Sequence, residues 1–403
     1  MKILVANVGS TSFKHKLVDT ETGEALAKGG VERVGNPPSR LTHSVPSKGV
    51  EVEREVDAPD HNAAIRACLE LLTDPELGAI GGLDEIDGIG FKAVFAKGIT
   101  RSALVTDEVI RAMEEYSGVV PVHNPPYIAA MRAFRELAPE KPQVAVFETW
   151  FHETVPDYAR VYGVPYEWLE RHGIRRYGFH GASHRYISQR VPQILGVNPE
   201  DLRLISCHLG GSSSLCAIKG GKSVDTSMGF SAQSGLMQGT RCGDFDAFAL
   251  LYVMEKEGLS VDEMRRILSR ESGLKGVSGI SADMRDILKA MGEGNERARL
   301  AFEAFCYEVK KFIGAYAAAM GGLDAIAFTG GMGERSPQVR AKVCEGLEFL
   351  GVELDPERNE RATGGEAVIS KDGSKVAVLV VPTNEELIVA RETARVIREA
   401  GLA

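Results

Sequence analysis

The sequence predicts an α/β protein built from two related halves, and three observations carry that reading. A strand, a turn of small residues, a second strand, a turn and a third strand open the chain, and the same succession returns near residue 202. Segments with apolar residues at helical spacing accompany both copies, so sheet and helix share the chain. At 403 residues the protein is too long for one ordinary core and calls for two domains.

The elements follow in order. Ile3 to Val5 is a buried strand, Asn7 to Ser12 a small polar turn, and Phe13 to Val18 a returning strand of alternating character. Asp19 to Gly23 makes a hairpin turn, Gly49 to Asp60 an exposed strand and loop, and Asn62 to Leu72 a helix. In the second copy Leu204 to Cys207 is a strand and His208 to Ser214 a glycine- and serine-rich turn. Leu215 to Ile218 returns, and Gly220-Gly221 leads to a strand through Val224. This repeat reads as an internal duplication. A third glycine turn, Thr329 to Glu334, follows the strand Ala325 to Phe328, and long helices occupy Glu296 to Met320 and Glu385 to Glu399.

A net charge of −9 argues against a nucleic-acid surface, while leaving room for a local basic phosphate site. The six cysteines show no C-x-x-C spacing and fit reduced thiols of a cytosolic protein better than disulfides or zinc. No apolar run approaches the length of a membrane span, and the opening residues read as a strand rather than a signal peptide. A cytoplasmic protein without membrane or nucleic-acid partners is expected.

Triphosphate calls for a concave cradle of backbone N–H groups, which glycine permits, with hydroxyl donors and a lysine. The run Asn7-Val8-Gly9-Ser10-Thr11-Ser12-Phe13-Lys14 has these parts. It lacks the P-loop pattern, and no dinucleotide fingerprint precedes a helix. Two such hairpin turns facing each other, one per half, make a workable ATP clamp whose closure excludes water. Among the histidines, His180 stands out in a segment too rich in small residues for a core strand, whereas His15, His43, His61 and His172 read as structural. His123, before Asn124-Pro125-Pro126, reads equally as turn or site. Arg241 is flanked by glycines, and Glu148 follows an apolar run at a strand end, where active-site acids of α/β sheets gather.

Taken together, several runs resemble the acetate and propionate kinase family. They are Asn7-x-Gly9-Ser10-x-Ser12-x-Lys14, His123-Asn124-Pro125-Pro126, Arg176 to His184, His208-Leu209-Gly210, Lys222 to Phe230, Gly239 to Asp244, Gly331-x-Gly333-Glu334 and Pro382 to Leu387. The resemblance spans nearly the whole chain and implies two RNase-H-like domains of the sugar-kinase, Hsp70 and actin superfold around a nucleotide cleft. The first would be residues 1–150 with the helix 385–403, the second residues 151–384, which would also form a homodimer. The implied reaction is reversible, direct in-line transfer of the γ-phosphoryl group of ATP to a small carboxylate, with Mg²⁺ (or Mn²⁺) as the ion.

Carried over by residue, the resemblance implies that Asn7 and Glu385 help hold the metal through waters. Lys14, Ser10 and Ser12 would meet the nucleotide phosphates. His208, Leu209, Gly210, Gly211 and Ser212 would line the nucleotide site, with Asp283, Met284, Arg285 and the run Gly331, Met332, Gly333, Glu334 and Arg335. Glu148, His180 and Arg241 would be catalytic. Lys92, Val94, Val122, Phe179 and Ala232 would receive the acid. The sequence departs from the family pattern on the acyl side: Lys92 replaces an arginine, Phe91 and Phe95 replace histidines, and Glu148 replaces an aspartate. Lysine keeps the charge but loses the planar fork. An acetate-type kinase, a paralogue for another small acid, and a nucleotide-binding regulator without turnover all remain open at this stage.

Overall fold

The computed structural model describes residues 1–120 and 123–402, so Val122, expected beside the acyl group, lies outside the described residues. The chain divides into two units, Met1–Trp150 with Asn384–Ala403, and Phe151–Thr383.

The first unit carries the strands β1 (Lys2–Gly9), β2 (Ser12–Asp19), β3 (Ala25–Glu32), β4 (Ser39–Val45), β5 (Val50–Val56), β6 (Gly88–Phe91), β7 (Ala103–Leu104) and β8 (Gln143–Ala145). They form one sheet in the order β5-β4-β3-β2-β1-β6-β8-β7. The β1 strand is central and covered on both faces, which is why Ile3, Leu4, Val5 and Ala6 are continuously apolar. It pairs antiparallel with β2 and parallel with β6, and β6 runs parallel to β8. Leu4, Ala6 and Val8 pack with the helices His61–Leu72 and Asn124–Leu137, the former capped by Asp60, whose side chain accepts from the Ala63 N–H at 2.8 Å. The other face takes the C-terminal helix, Glu385–Glu399, which buries Ile388, Val389 and Ile397. Each such side chain contributes about 1.5–3 kcal/mol. Gly88 and Gly90 allow this seating, since a Cβ at either would run into Ile397 or Thr393 of that helix.

The second unit carries β9 (Arg203–Leu209), β10 (Ser213–Lys219), β11 (Lys222–Thr226), β12 (Ala325–Thr329), β13 (Ala367–Val368) and β14 (Ala377–Val380), in the order β11-β10-β9-β12-β14-β13. Three antiparallel strands followed by two parallel ones, β11-β10-β9-β12-β14, repeat the path β3-β2-β1-β6-β8. The duplication is thus a topological fact, and each unit has the RNase-H-like order. The helix Glu296–Met320 buries Ala301, Phe305, Val309, Ile313 and Ala317, one per turn, against β9 and β10.

Two local expectations change. Asn7 lies on β1 rather than in a turn: Gly9 pairs with Ser12, and only Ser10 and Thr11 form the hairpin end. The glycine run after β12 is a short helix, Gly330–Arg335, because the Glu334 carboxylate reaches back to accept the Gly330 N–H at 2.9 Å and offsets the poor helical preference of glycine.

Candidate active site

Chemistry-bearing residues gather in two clusters, one in each unit. In the first unit the parallel strands β1, β6 and β8 carry Asn7, Lys92 and Glu148 at or just past their C-terminal ends, where α/β sheets place ligands. Strand-like pairing continues beyond the strands: the Lys92 N–H donates to the Ala6 carbonyl at 3.3 Å, and the Glu148 N–H to the Ala93 carbonyl at 2.9 Å. The Lys92 ammonium is ion-paired with Glu385 and lies 3.6 Å from Glu148 Oε1. Glu148 is buried, at 6% exposure. Burial opposes the charge of Lys92, but Glu148 and Glu385 outweigh it and hold the ammonium above its ordinary pKa.

Tyr127 donates from its hydroxyl to Asn7 Oδ1 at 3.1 Å, and burial pushes its phenol up to about 12. Lys14 stands beside Asn7 in the β1–β2 register, half exposed, with Nζ 3.1 Å from Glu32. Ser10 is exposed at the hairpin end and Ser12 partly covered. Phe91 and Phe95 are fully buried, Phe91 edge-on to Phe134 at 5.7 Å and Phe95 against Tyr116 at 4.6 Å. These two departures therefore pack into the interior of the first unit. Val94 packs partly buried against the same core.

In the second unit the segment leading to the helix Gly181–Leu195 carries His180 in the left-handed region, at φ 56°. A non-glycine residue held there marks a position fixed by its surroundings. Gly178 precedes it at φ 78°, and a Cβ there would come within 2.6 Å of the His152 ring. The His152 Nε2–H donates to the Phe179 carbonyl at 2.9 Å, and burial lowers that imidazole to about 4. Phe179 itself is buried. The His180 ring stacks on His208 with centroids 4.2 Å apart.

Arg241 is fastened by neutral oxygens. Its Nη1 donates to Ser212 Oγ at 3.0 Å, the Ala232 carbonyl at 3.1 Å and Gln238 Oε1 at 3.3 Å. Among the described residues no carboxylate pairs with it, and burial lowers its pKa. Ala232 thus acts through its backbone. Gln238 also accepts from Ser212 Oγ at 2.8 Å and donates from Nε2 to Ala232 at 2.9 Å, stapling the loop Gly210–Ser212 to the arginine segment. The Gly210 N–H bonds Ser212 within the loop, so the cradle of amides is narrower than the glycine content suggests. Leu209 faces inward.

The neighbouring nucleotide candidates converge on the same loop. A Cβ at Gly239 would meet the Gly211 and Ala282 carbonyls at 3.1 and 3.2 Å, which brings the Asp283 segment alongside. Asp283 caps the helix Met284–Gly292, and the Arg285 guanidinium at 2.6 Å draws its carboxyl down to about 2. Met284 is buried in the core. A Cβ at Gly330 would meet the Leu209 carbonyl at 2.7 Å, so the helix carrying Gly331, Met332, Gly333, Glu334 and Arg335 abuts the end of β9. The fully buried Arg340 donates to the Gly333 carbonyl at 2.8 Å and anchors it. Gly331 and Arg335 stay exposed, Glu334 closes its own helix, and Met332 leans on the core.

Sequence reasoning missed Tyr127, Gln238, Arg340, His184 and the serines around the histidines. Only His184 carried a signal, as a second histidine four residues after His180 in the same small-residue run.

The pattern of the acetokinase family matches residues 2–391. The chain belongs to the acetokinase family. It is 49% identical over 401 residues to an acetate kinase of Caldanaerobacter subterraneus subsp. tengcongensis, covering 99% of both chains. Its structure is similar to that of Porphyromonas gingivalis acetate kinase, with a TM-score of 0.90 and 44% identity over 98% of this chain and 99% of that one. A propionate kinase from Francisella tularensis follows the same fold at a TM-score of 0.89 and 33% identity, covering 98% and 100%. As an acetokinase, the chain uses ATP and ADP. Among the described residues no helix is long and apolar enough to cross a membrane.

Proposed function

We propose that this acetokinase catalyses reversible transfer of the γ-phosphoryl group of ATP to acetate, giving ADP and acetyl phosphate. The observation that carries the reading is Arg241: a half-buried guanidinium held by a hydroxyl, an amide and a carbonyl, whose charge is left for an anionic ligand. In the transfer an oxygen of the acetate carboxylate bonds to the γ-phosphorus as its bond to the β,γ-bridging oxygen breaks. The carboxylate is already ionised at neutral pH, so no base is needed. Charge spreads over the equatorial oxygens in flight, where Arg241 and His180 act as donors. Within the second unit the Gly210–Ser212 loop, the Asp283 segment and Gly331–Arg335 receive the nucleotide, and within the first unit Lys14, Ser10 and Ser12 are the phosphate donors. Lys92 keeps Glu148 and Glu385 in place, and Val94 beside them is the apolar contact for the acyl group.

Asn7 and Glu385 are oxygen donors, the class a hard dication takes. Bound there, Mg²⁺ would offset phosphate charge.

The helix Ala247–Glu257 supports a homodimer: it buries none of its residues, although Phe248 is 82% exposed, Leu251 60% and Tyr252 61%. The reading is tested by acetate-dependent ADP release with capture of the acyl phosphate as a hydroxamate, run beside propionate, hydroxy acids and dicarboxylates. Release that needs no acid would point to an ATPase instead.

A further inference from the structure

Behind His180 lies a chain of hydrogen bonds that the transfer itself does not call for. His180 Nδ1 is 2.8 Å from Ser214 Oγ, which is also 2.8 Å from His184 Nε2. His184 Nδ1 is in turn 2.9 Å from Ser206 Oγ. Ser206, Ser214 and His184 are completely buried, while His180 is only partly so. The elements responsible are the helix Gly181–Leu195, which carries His184 in its first turn and has His180 as its N-cap, and the paired strands β9 and β10, which carry the serines.

We propose that Ser206, His184 and Ser214 form a relay that fixes the proton of His180 on Nε2, making them positioning residues for the phosphoryl transfer. The inference rests on the reading of His180 given above. Its direction follows from where the protons find acceptors. The Ser206 hydroxyl has one hydrogen-bond partner among the described residues, His184 Nδ1, and a buried O–H that donates to nothing is costly. Ser206 therefore donates to Nδ1, and neutral His184 carries its proton on Nε2. That N–H donates to Ser214 Oγ, whose own O–H is left to donate to His180 Nδ1. The reverse direction strands the Ser206 proton in the interior. Burial, with His152 and His208 nearby, keeps His184 from gaining a second proton, which would let it donate both ways.

A second contact acts in the same sense. The completely buried Ser183 has its Oγ 2.8 Å from His208 Nδ1, so His208 also receives a hydroxyl proton there. Two stacked rings 4.2 Å apart disfavour double protonation of either. His180 is thereby held as a neutral imidazole whose Nε2–H serves as a hydrogen-bond donor to phosphoryl oxygen. A ring with its proton on Nδ1 would turn a lone pair toward an anion, and the relay excludes that form.

Histidine-selective ¹⁵N labelling and long-range ¹H–¹⁵N correlation read the tautomer, with the His180 signals assigned by their loss in His180→Gln. In the substrate-free wild type, His180 is expected with protonated Nε2 and unprotonated Nδ1. Ser206→Ala should give a mixed His180 pattern and lower kcat about tenfold, with KM for ATP within about twofold, and Ser206→Thr should restore both. Ser214→Ala should cost about 100-fold in kcat. A wild-type His180 protonated on Nδ1 overturns the relay, as does a Ser206→Ala protein with wild-type tautomer and turnover. If Ser206→Ala fails to fold, the wild-type spectrum decides alone. Because that spectrum needs no substrate, a wild type that never phosphorylates acetate sinks the kinase reading without touching the tautomer, and an active enzyme with Nδ1–H sinks only the relay.

Discussion

Lys92 and Glu148 leave the C-terminal ends of the neighbouring parallel strands β6 and β8 and stand 3.6 Å apart, with Glu385 ion-paired to the same ammonium. The lysine charge is thus engaged within the protein, between two acids contributed by distant parts of the sequence. A guanidinium in that place would grip one carboxylate bidentately, whereas the ammonium serves two as a point charge.

Removing the charge should therefore expose the two acids to each other. Lys92→Met is expected to lower stability by about 3 kcal/mol, read from urea denaturation. Lys92→Arg should preserve stability and raise kcat/KM for acetate. An unchanged kcat/KM would place Lys92 outside the reach of the acid.

Arg241→Ala should cut turnover by about 10²–10³-fold while ATP binding, measured by calorimetry, stays within about threefold. Arg241→Lys should recover little of the loss, because an ammonium tied to those three oxygens has no second nitrogen with which to grip phosphoryl oxygen as the planar fork does. Wild-type turnover in either variant would remove Arg241 from the chemistry.

Stability should fall with acid. His15 is held near 3, by burial first and His43 second, and His152 near 4, by burial first. Both folded-state values lie below that of an unfolded histidine, so the unfolded chain takes up protons first. Their contribution is full above about pH 6.5 and is lost as pH drops toward the folded values, at about 1.4 kcal/mol per unit for each. Urea midpoints between pH 7.5 and 5 should show the slope, and His15→Phe should reduce it. An unaltered slope in that variant would clear His15 of any part in it.

Sedimentation should find a dimer in the native protein and a folded monomer in Phe248→Asp/Leu251→Asp. A native monomer would mean that the exposed helix has another purpose.

Much of the fold was legible because burial leaves periodic marks. Ala301, Phe305, Val309, Ile313 and Ala317 recur every fourth residue, and the helix spans the expected Glu296–Met320. The two hairpins announced the repeated sheet. Other features had no local mark. The helix Gly330–Arg335 was hidden because glycine signals a break and only the backward reach of Glu334 reverses it. Phe91 and Phe95 replace family histidines in an acyl-side segment, and only the packing of their rings against Phe134 and Tyr116 shows their part in the interior. Gln238 and Ser206 matter through partners set by strand register and loop closure, which no spacing in one dimension encodes.

The most direct test of the account follows ATP, acetate and the purified protein in one reaction by ³¹P NMR. One acetyl phosphate should appear for each ADP formed, and the same mixture should regenerate ATP when started from acetyl phosphate and ADP. A protein that binds ATP yet gives no acid-dependent ADP, or that yields inorganic phosphate alone, would contradict it.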